Sequence, residues 1–198
     1  MRRLPYPLLV LFVLAVALVG CGGGDEESPT TGAETTESPT TTGATGDNEI
    51  FDEADFDVTF EYPSDFDPLD DISFNRSAGS SAVATAGVGL DSTNLLALQR
   101  FDLNIEVTED NIDEVQPEAD MLFSQLAGEE VEGKDVEVGG LPALEYEITL
   151  TEPADAQTRA TAIFDGSTQY LLNCQSTAAE EDAVTAACDT ALETFEPK

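Results

Sequence analysis

The sequence contains no histidine, and only seven of its 198 residues are lysine or arginine, against 41 aspartates and glutamates. Without histidine, the chain lacks the usual general base of enzymes and the commonest metal ligand of proteins. The formal net charge is −34 at pH 7, and a field of this sign repels nucleic acid and anionic lipid head groups. We therefore expect no nucleic-acid partner, no cofactor and no enzymatic activity.

Long apolar runs are also lacking, because the longest one, Leu8–Val19, has only twelve residues. A helix that spans a bilayer needs about 20 such residues, so this run is short for a permanent anchor. Its length is typical of the apolar core of a signal peptide, and Arg2 and Arg3 supply the positive region that precedes such a core. Residues 1–20 are therefore predicted to be an export signal.

The apolar run ends in Leu18-Val19-Gly20-Cys21, a quartet that resembles the lipobox of bacterial lipoproteins. The resemblance implies cleavage before Cys21 and attachment of lipid to its sulfur. Two acyl chains, at about 0.8 kcal/mol per buried methylene, suffice for stable anchoring where one does not. The predicted location is the cell membrane, with the chain lipid-anchored on the extracytoplasmic side. The alternatives are an ordinary secretory signal with a coincidental cysteine and an uncleaved short anchor.

Residues 21–49 are rich in glycine, threonine and glutamate, and residues 22–48 include no aliphatic side chain larger than alanine. Such a segment cannot bury enough apolar surface to offset its ordering entropy, so we predict a disordered tether. A flexible tether of this length spans roughly 30 Å. Residues 50–198 have the size of one ordinary domain.

The excess of carboxylates has two competing explanations. Dense acid keeps a protein solvated in a salty or alkaline exterior, where screening makes the charge tolerable. A discrete calcium site is the alternative, and its weak candidates are Asp65, Asp67, Asp70 and Asp71. Their spacing lacks the alternating ligands, the turn glycine and the distal glutamate of a calcium loop. A calcium-dependent surface protein therefore stays an alternative function, and a hydrolase with paired carboxylates is a further one.

Apolar periodicity predicts the secondary structure of the domain. Phe56, Val58, Phe60 and Tyr62 alternate with polar residues, which predicts a half-buried strand. Two more strands are predicted on either side of residues 92–94. A helix is predicted to start between Glu114 and Pro117 and to end at Gly128. The strand that follows places four side chains inward: Leu144, Tyr146, Ile148 and Leu150. Residues 157–175 are predicted to form a hairpin that turns at Asp165-Gly166.

The last helix is predicted from a capping box of Thr177 and Glu180, followed by an apolar stripe that includes Cys188. Cys174 lies at the end of the preceding strand. After Cys174, three or four linking residues carry the chain away from the end of the strand, and about ten helical residues then carry it back alongside the sheet. The two sulfurs therefore lie at similar positions along the strand direction. We predict a disulfide between them, and buried free thiols are the alternative. With Cys21 lipidated, the odd number of cysteines becomes one anchor and one pair.

The element order, with hairpin-length connections, indicates an α+β fold with a central antiparallel β-sheet. The segments VTFEYPSDF, VGGLPALEYEIT, AIFDGSTQYLLNCQS and CDTALETFEP resemble the PsbP-like superfamily, including bacterial lipoproteins of the LpqN type. The resemblance covers about residues 56–197. It implies an α/β/α sandwich, with helices flanking the sheet, and a non-catalytic accessory or binding role. It implies no site residue that can be carried over, so the ligand or protein partner is not predicted.

Overall fold

A computed structural model describes residues 48–70, 72, 82–150 and 156–198. Cys21, the predicted export signal, nearly all of the predicted tether and Asp71 lie outside these residues. The described residues form nine strands and two helices, in the order β1 (Asn48–Phe51), β2 (Val58–Pro63), β3 (Asp67–Pro68), β4 (Ala84–Gly89), β5 (Leu95–Val107), α1 (Ile112–Ala127), β6 (Lys134–Val138), β7 (Leu141–Thr149), β8 (Gln157–Ser176), α2 (Glu181–Glu193) and β9 (Glu196–Pro197).

The strands pair into two antiparallel sheets. The larger sheet has six strands in the order β3-β4-β5-β8-β7-β6, and the smaller one has the order β1-β2-β9. The predicted α+β class with a central antiparallel sheet is confirmed. The predicted first strand is also confirmed, since Val58, Phe60 and Tyr62 are all buried. It lies in the smaller sheet.

The two faces of the large sheet cover two separate apolar cores. On one face, α2 and the small sheet pack over Leu172 and Cys174 of β8. On the other face, α1 packs over Leu144 and Tyr146 of β7, together with Ala162 of β8. Alternation along each strand divides its side chains between the two cores. Helices therefore lie on both faces, which confirms the predicted sandwich.

The predicted hairpin at Asp165-Gly166 is wrong, because β8 continues through both residues as one 20-residue strand. Its first part pairs with β7, from Thr149 opposite Gln157 to Ala143 opposite Ile163. Its second part pairs with β5, which lies on the other side of β8 in the sheet. Gly166 has a φ of +60° and lies where the register with β5 shifts. The Asp-Gly pair therefore accommodates an irregularity in pairing, and the chain does not reverse there.

Both helix starts differ from the predictions. Helix α1 begins at Ile112, so Pro117 lies inside it. Proline there removes one backbone hydrogen bond, to the carbonyl of Asp113, and the exposure of both residues lets water replace that bond. Helix α2 begins at Glu181 without a side-chain cap. The predicted capping box does not form, because Glu180 occupies the N-cap position and Thr177 lies in the turn before it. The Thr177 hydroxyl donates a hydrogen bond to Asn94.

Candidate functional site

The disulfide between Cys174 of β8 and Cys188 of α2 is present, as predicted. Its Cα atoms are 5.9 Å apart, and both cysteines are buried in the core beneath α2. Cys188 lies on the buried face of α2, between Ala187 and Ala191 along that face. The bond therefore fixes the middle of the helix to a central strand of the large sheet.

A second connection between α2 and the large sheet is ionic. The Arg159 side chain of β8 donates one hydrogen bond to Glu145 of β7 at 2.7 Å and one to Asp189 of α2 at 2.6 Å. Partial burial lowers the pKa of Arg159, but the hydrogen bonds to Asp189 and Glu145 outweigh this effect and leave the pKa raised. Its charge is therefore constant, and the bridge depends only on the two carboxylates.

A buried asparagine joins the β4–β5 turn to the end of β8. The Asn94 Oδ1 accepts hydrogen bonds from the backbone N–H and the hydroxyl of Thr177, at 2.8 and 3.0 Å. Its side-chain N–H₂ donates to Asp91 at 2.9 Å. The hydrogen bond from Asn94, followed by those from the backbone N–H groups of Thr93 and Asn94, lowers the pKa of Asp91. This arrangement closes one end of the sheet, and both polar atoms of the Asn94 side chain have hydrogen-bond partners, as is typical of a buried structural asparagine.

On the opposite face of the sheet, a tyrosine connects α1 to β7. The buried Tyr146 hydroxyl donates a hydrogen bond to Asp120 at 2.8 Å, and the Gly133 N–H donates to the same oxygen at 2.9 Å. The Tyr146 ring stacks on Phe123, with ring centroids 4.0 Å apart. Burial, with the hydrogen bond to Asp120, raises the pKa of Tyr146. A tyrosine that holds its proton this strongly anchors the helix and is unsuited to act as a base.

The weak calcium candidates do not form a site among the described residues. Asp65, Asp67 and Asp70 are exposed, and Asp67 is one of the two residues of β3, which pairs with β4. Asp71 lies outside the described residues. No group of three or more histidine, cysteine, aspartate or glutamate side chains within residues 48–70, 82–150 and 156–198 is arranged to hold a metal ion.

The four basic residues that the structure describes all contact oxygens of their own chain. Arg100 donates to the carbonyl of Asp55, and Lys198 donates to the carbonyl of Phe56 and pairs with Asp52. Arg159 forms the bridge described above, and Lys134 lies 3.9 Å from Glu145. The surface of this part of the chain therefore presents mainly carboxylates to a partner, which favours cationic or neutral ligands over anionic ones.

Comparison with known proteins identifies the architecture. No protein-family model matches the chain, and no curated protein is similar to it. Among solved structures, it is similar to the solution structure of cyanobacterial PsbP (CyanoP) from Synechocystis sp. PCC 6803, with a TM-score of 0.52 and 10% sequence identity. The match covers 81% of this chain and 98% of that one. The fold is PsbP-like.

A crystal structure from Bacteroides thetaiotaomicron VPI-5482 is similar to the same degree. Its TM-score is 0.52 at 11% identity, over 77% of this chain, and the match spans only 49% of the Bacteroides chain. At these identities the likeness shows the PsbP-like fold alone, so no functional residue is carried over from either structure.

The structure explains two of the segments that resemble PsbP-like proteins. The glycines of VGGLPALEYEIT form the tight turn between β6 and β7, and Gly139 and Gly140 have φ values of +59° and +77°. A Cβ atom on Gly139 would collide with the backbone carbonyl of Phe195, which lies in the segment CDTALETFEP. The two segments therefore contact each other, and their pattern has a packing role.

The Asn94 connection and the Arg159 bridge were not predicted from the sequence. In the sequence, Asn94 is one of several polar residues in a turn, and Arg159 is one of two charged residues on a long strand. Asn94 has a near partner in Asp91, but its link to Thr177 spans 83 residues, and the partners of Arg159 lie 14 and 30 residues away in the chain. No local pattern marks such distant pairs. Cys21 lies outside the described residues, and within those residues no helix is long and apolar enough to span a membrane.

Proposed function

We propose that the protein is an extracytoplasmic lipoprotein, held at the cell membrane through lipid on Cys21, whose PsbP-like domain binds a protein or a small ligand without catalysis. The observation that carries the proposal is the disulfide. Pairing of Cys174 with Cys188 accounts for two of the three cysteines of the sequence, and the third, Cys21, lies two residues after the apolar run. Disulfides are also typical of exported proteins.

Two features support a binding or accessory role over an enzymatic one. The PsbP-like fold is compatible with a non-catalytic accessory domain. The sequence also supplies no histidine, and the buried Tyr146, whose pKa is raised, donates a hydrogen bond to the carboxylate of Asp120 on α1. A fold is shared by many functions, so the ligand must be identified by experiment.

The anchor is tested with the full chain produced in a bacterial host that is fed labelled palmitate. We expect label on the wild-type protein and its recovery with the membrane fraction. Cys21→Ala removes the sulfur that accepts lipid, so the label should be lost and the protein should leave the membrane. The control is Cys174→Ala with Cys188→Ala, which removes two cysteines but should keep both label and anchoring. A Cys21→Ala protein that remains membrane-bound would refute the proposal.

A further inference from the structure

Helix α1 lies within a stretch of the described chain whose charges are all negative. The 26 residues from Thr108 to Gly133, here called the acidic segment, contain nine carboxylates and no lysine or arginine. Three of these carboxylates, on Asp113, Glu114 and Glu118, are exposed on the helix itself. The segment contains no cation of its own, and Lys134, the residue that follows it, lies 3.9 Å from Glu145 of β7. Repulsion within the segment is therefore offset mainly by dissolved salt.

The two ends of α1 respond differently to these charges. Asp113 and Glu114 lie in the first turn, where negative charge is favourable because the helix dipole is positive at that end. The last turn contains no basic residue, and Gly128 is followed directly by exposed Glu129 and Glu130. Negative charge at this end opposes the helix dipole. The C-terminal end of α1 is therefore the electrostatically unfavourable one.

The two helices are also held with unequal strength. Helix α2 buries four side chains, carries the disulfide, and bonds to Arg159 through Asp189 and to the small sheet through Thr194. Helix α1 buries three side chains, Ile112, Phe123 and Ala127. Its polar link to the sheet runs through Tyr146, while its bonds to Val131 and Gly133 only tie it to the loop that follows it.

We infer that α1 is a salt-dependent cover of one face of the sheet: at low ionic strength, repulsion in the acidic segment releases α1 while α2 stays in place. The screening length shortens from about 30 Å at 0.01 M salt to about 3 Å at 1 M. At low salt, all carboxylates of the segment therefore repel one another, and at high salt only adjacent ones do. Release of α1 uncovers Leu144, Tyr146 and Phe164, an apolar surface on the sheet.

Hydrogen exchange on the full chain, held in micelles of an uncharged detergent, tests this inference at 10 mM and 1 M NaCl. Rates for each peptide are corrected with the unfolded protein at the same salt concentration, because salt also changes chemical exchange. We expect protection of the α1 amides to rise on the order of tenfold with salt, as screening removes the unfavourable charges near the helix end. Protection of the α2 amides should rise by much less.

Two variants of equal charge separate the inferred cause from a general effect of net charge. Glu129→Gln with Glu130→Gln removes two charges at the unfavourable end, and Asp113→Asn with Glu114→Gln removes two at the favourable end. The first pair should raise α1 protection at 10 mM salt and weaken its salt dependence. The second pair should give no such gain, because lost dipole stabilisation offsets the reduced repulsion.

Two outcomes would overturn the inference. One is a salt response of equal size in α1 and α2, which would show that the whole domain responds and not α1. The other is α1 protection that stays the same between the two salt concentrations. The experiment is independent of lipidation, so a failure of the proposed anchor would leave its result unchanged.

Discussion

Two adjacent glycines in the β6–β7 turn give a matched pair of substitutions that tests the packing of the turn against the end of α2. Gly139 and Gly140 both have left-handed backbone conformations, with φ of +59° and +77°. A Cβ atom on Gly140 would meet nothing within 4 Å, whereas one on Gly139 would collide with the backbone carbonyl of Phe195. Gly140→Ala therefore adds backbone strain alone, whereas Gly139→Ala adds backbone strain and a collision.

The magnitudes follow from these two contributions. The left-handed conformation costs an ordinary L-residue about 1 to 2 kcal/mol, and both substitutions incur this cost. Only Gly139→Ala forces the turn away from Phe195, whose side chain is 1% exposed. Overpacking of a well-packed core typically costs a further 1 to 3 kcal/mol, roughly. We expect a free energy of unfolding lower by about 1.5 kcal/mol for Gly140→Ala and about 3.5 kcal/mol for Gly139→Ala.

Unfolding in urea, followed by far-ultraviolet circular dichroism in 1 M NaCl, measures both changes, since the high salt suppresses differences in charge repulsion. In thermal unfolding, a domain of this size loses roughly 3 °C in Tm for each kcal/mol. Gly139→Ala should therefore melt several degrees below Gly140→Ala. Equal losses for the two variants would show that the contact between the turn and Phe195 contributes nothing, and would refute the reasoning.

Two further predictions concern the disulfide and a buried tyrosine. The disulfide closes a loop between residues that are 14 positions apart. Replacing both Cys174 and Cys188 with alanine should therefore lower the free energy of unfolding by about 3 kcal/mol. Mass spectrometry of the unreduced wild-type protein should show the linked peptides, and full alkylation of both cysteines without reductant would contradict the bond. Burial, with the hydrogen bond to Glu49, raises the pKa of Tyr62 from 10.0 to about 12. As the pH rises, Tyr62 ionises in the unfolded chain before it does so in the folded one, so stability present below pH 10 should be lost as the pH rises toward 12. Tyr62→Phe should reduce that loss, as measured by urea unfolding at each pH. A variant with the same pH profile as the wild type would contradict this prediction.

Local periodicity was sufficient to predict much of the fold. The alternation from Phe56 to Tyr62 and the stripe through Cys188 both depend on which face of an element is apolar, a property that neighbouring residues determine. The disulfide was predicted from the same patterns, because the rise per residue of the helix shows that Cys188 returns to the level of Cys174 on the preceding strand. These features required no knowledge of distant partners.

The features that were not predicted depend on distant partners. The Asp165-Gly166 pair is typical of a turn, but the residues on its two sides pair with β7 and with β5, so the strand continues. Thr177 was expected to cap α2, but the helix begins four residues later, at Glu181, and Thr177 donates hydrogen bonds to Asn94, 83 residues earlier in the chain. Choices of this kind are made by tertiary packing, which overrides local preference.

The scarcity of basic residues also determines which chemistry can label this protein. Its sequence contains two lysines; the Lys134 side chain is 76% exposed, while Lys198 is paired with Asp52. Reagents that couple amines will therefore find only two lysine side chains, Lys134 at one edge of the large sheet and the partly exposed Lys198, and will miss a partner bound elsewhere. Carboxylates, in contrast, number 41 in the sequence. Coupling through activated carboxyl groups is therefore the suitable chemistry for testing whether the domain binds a partner.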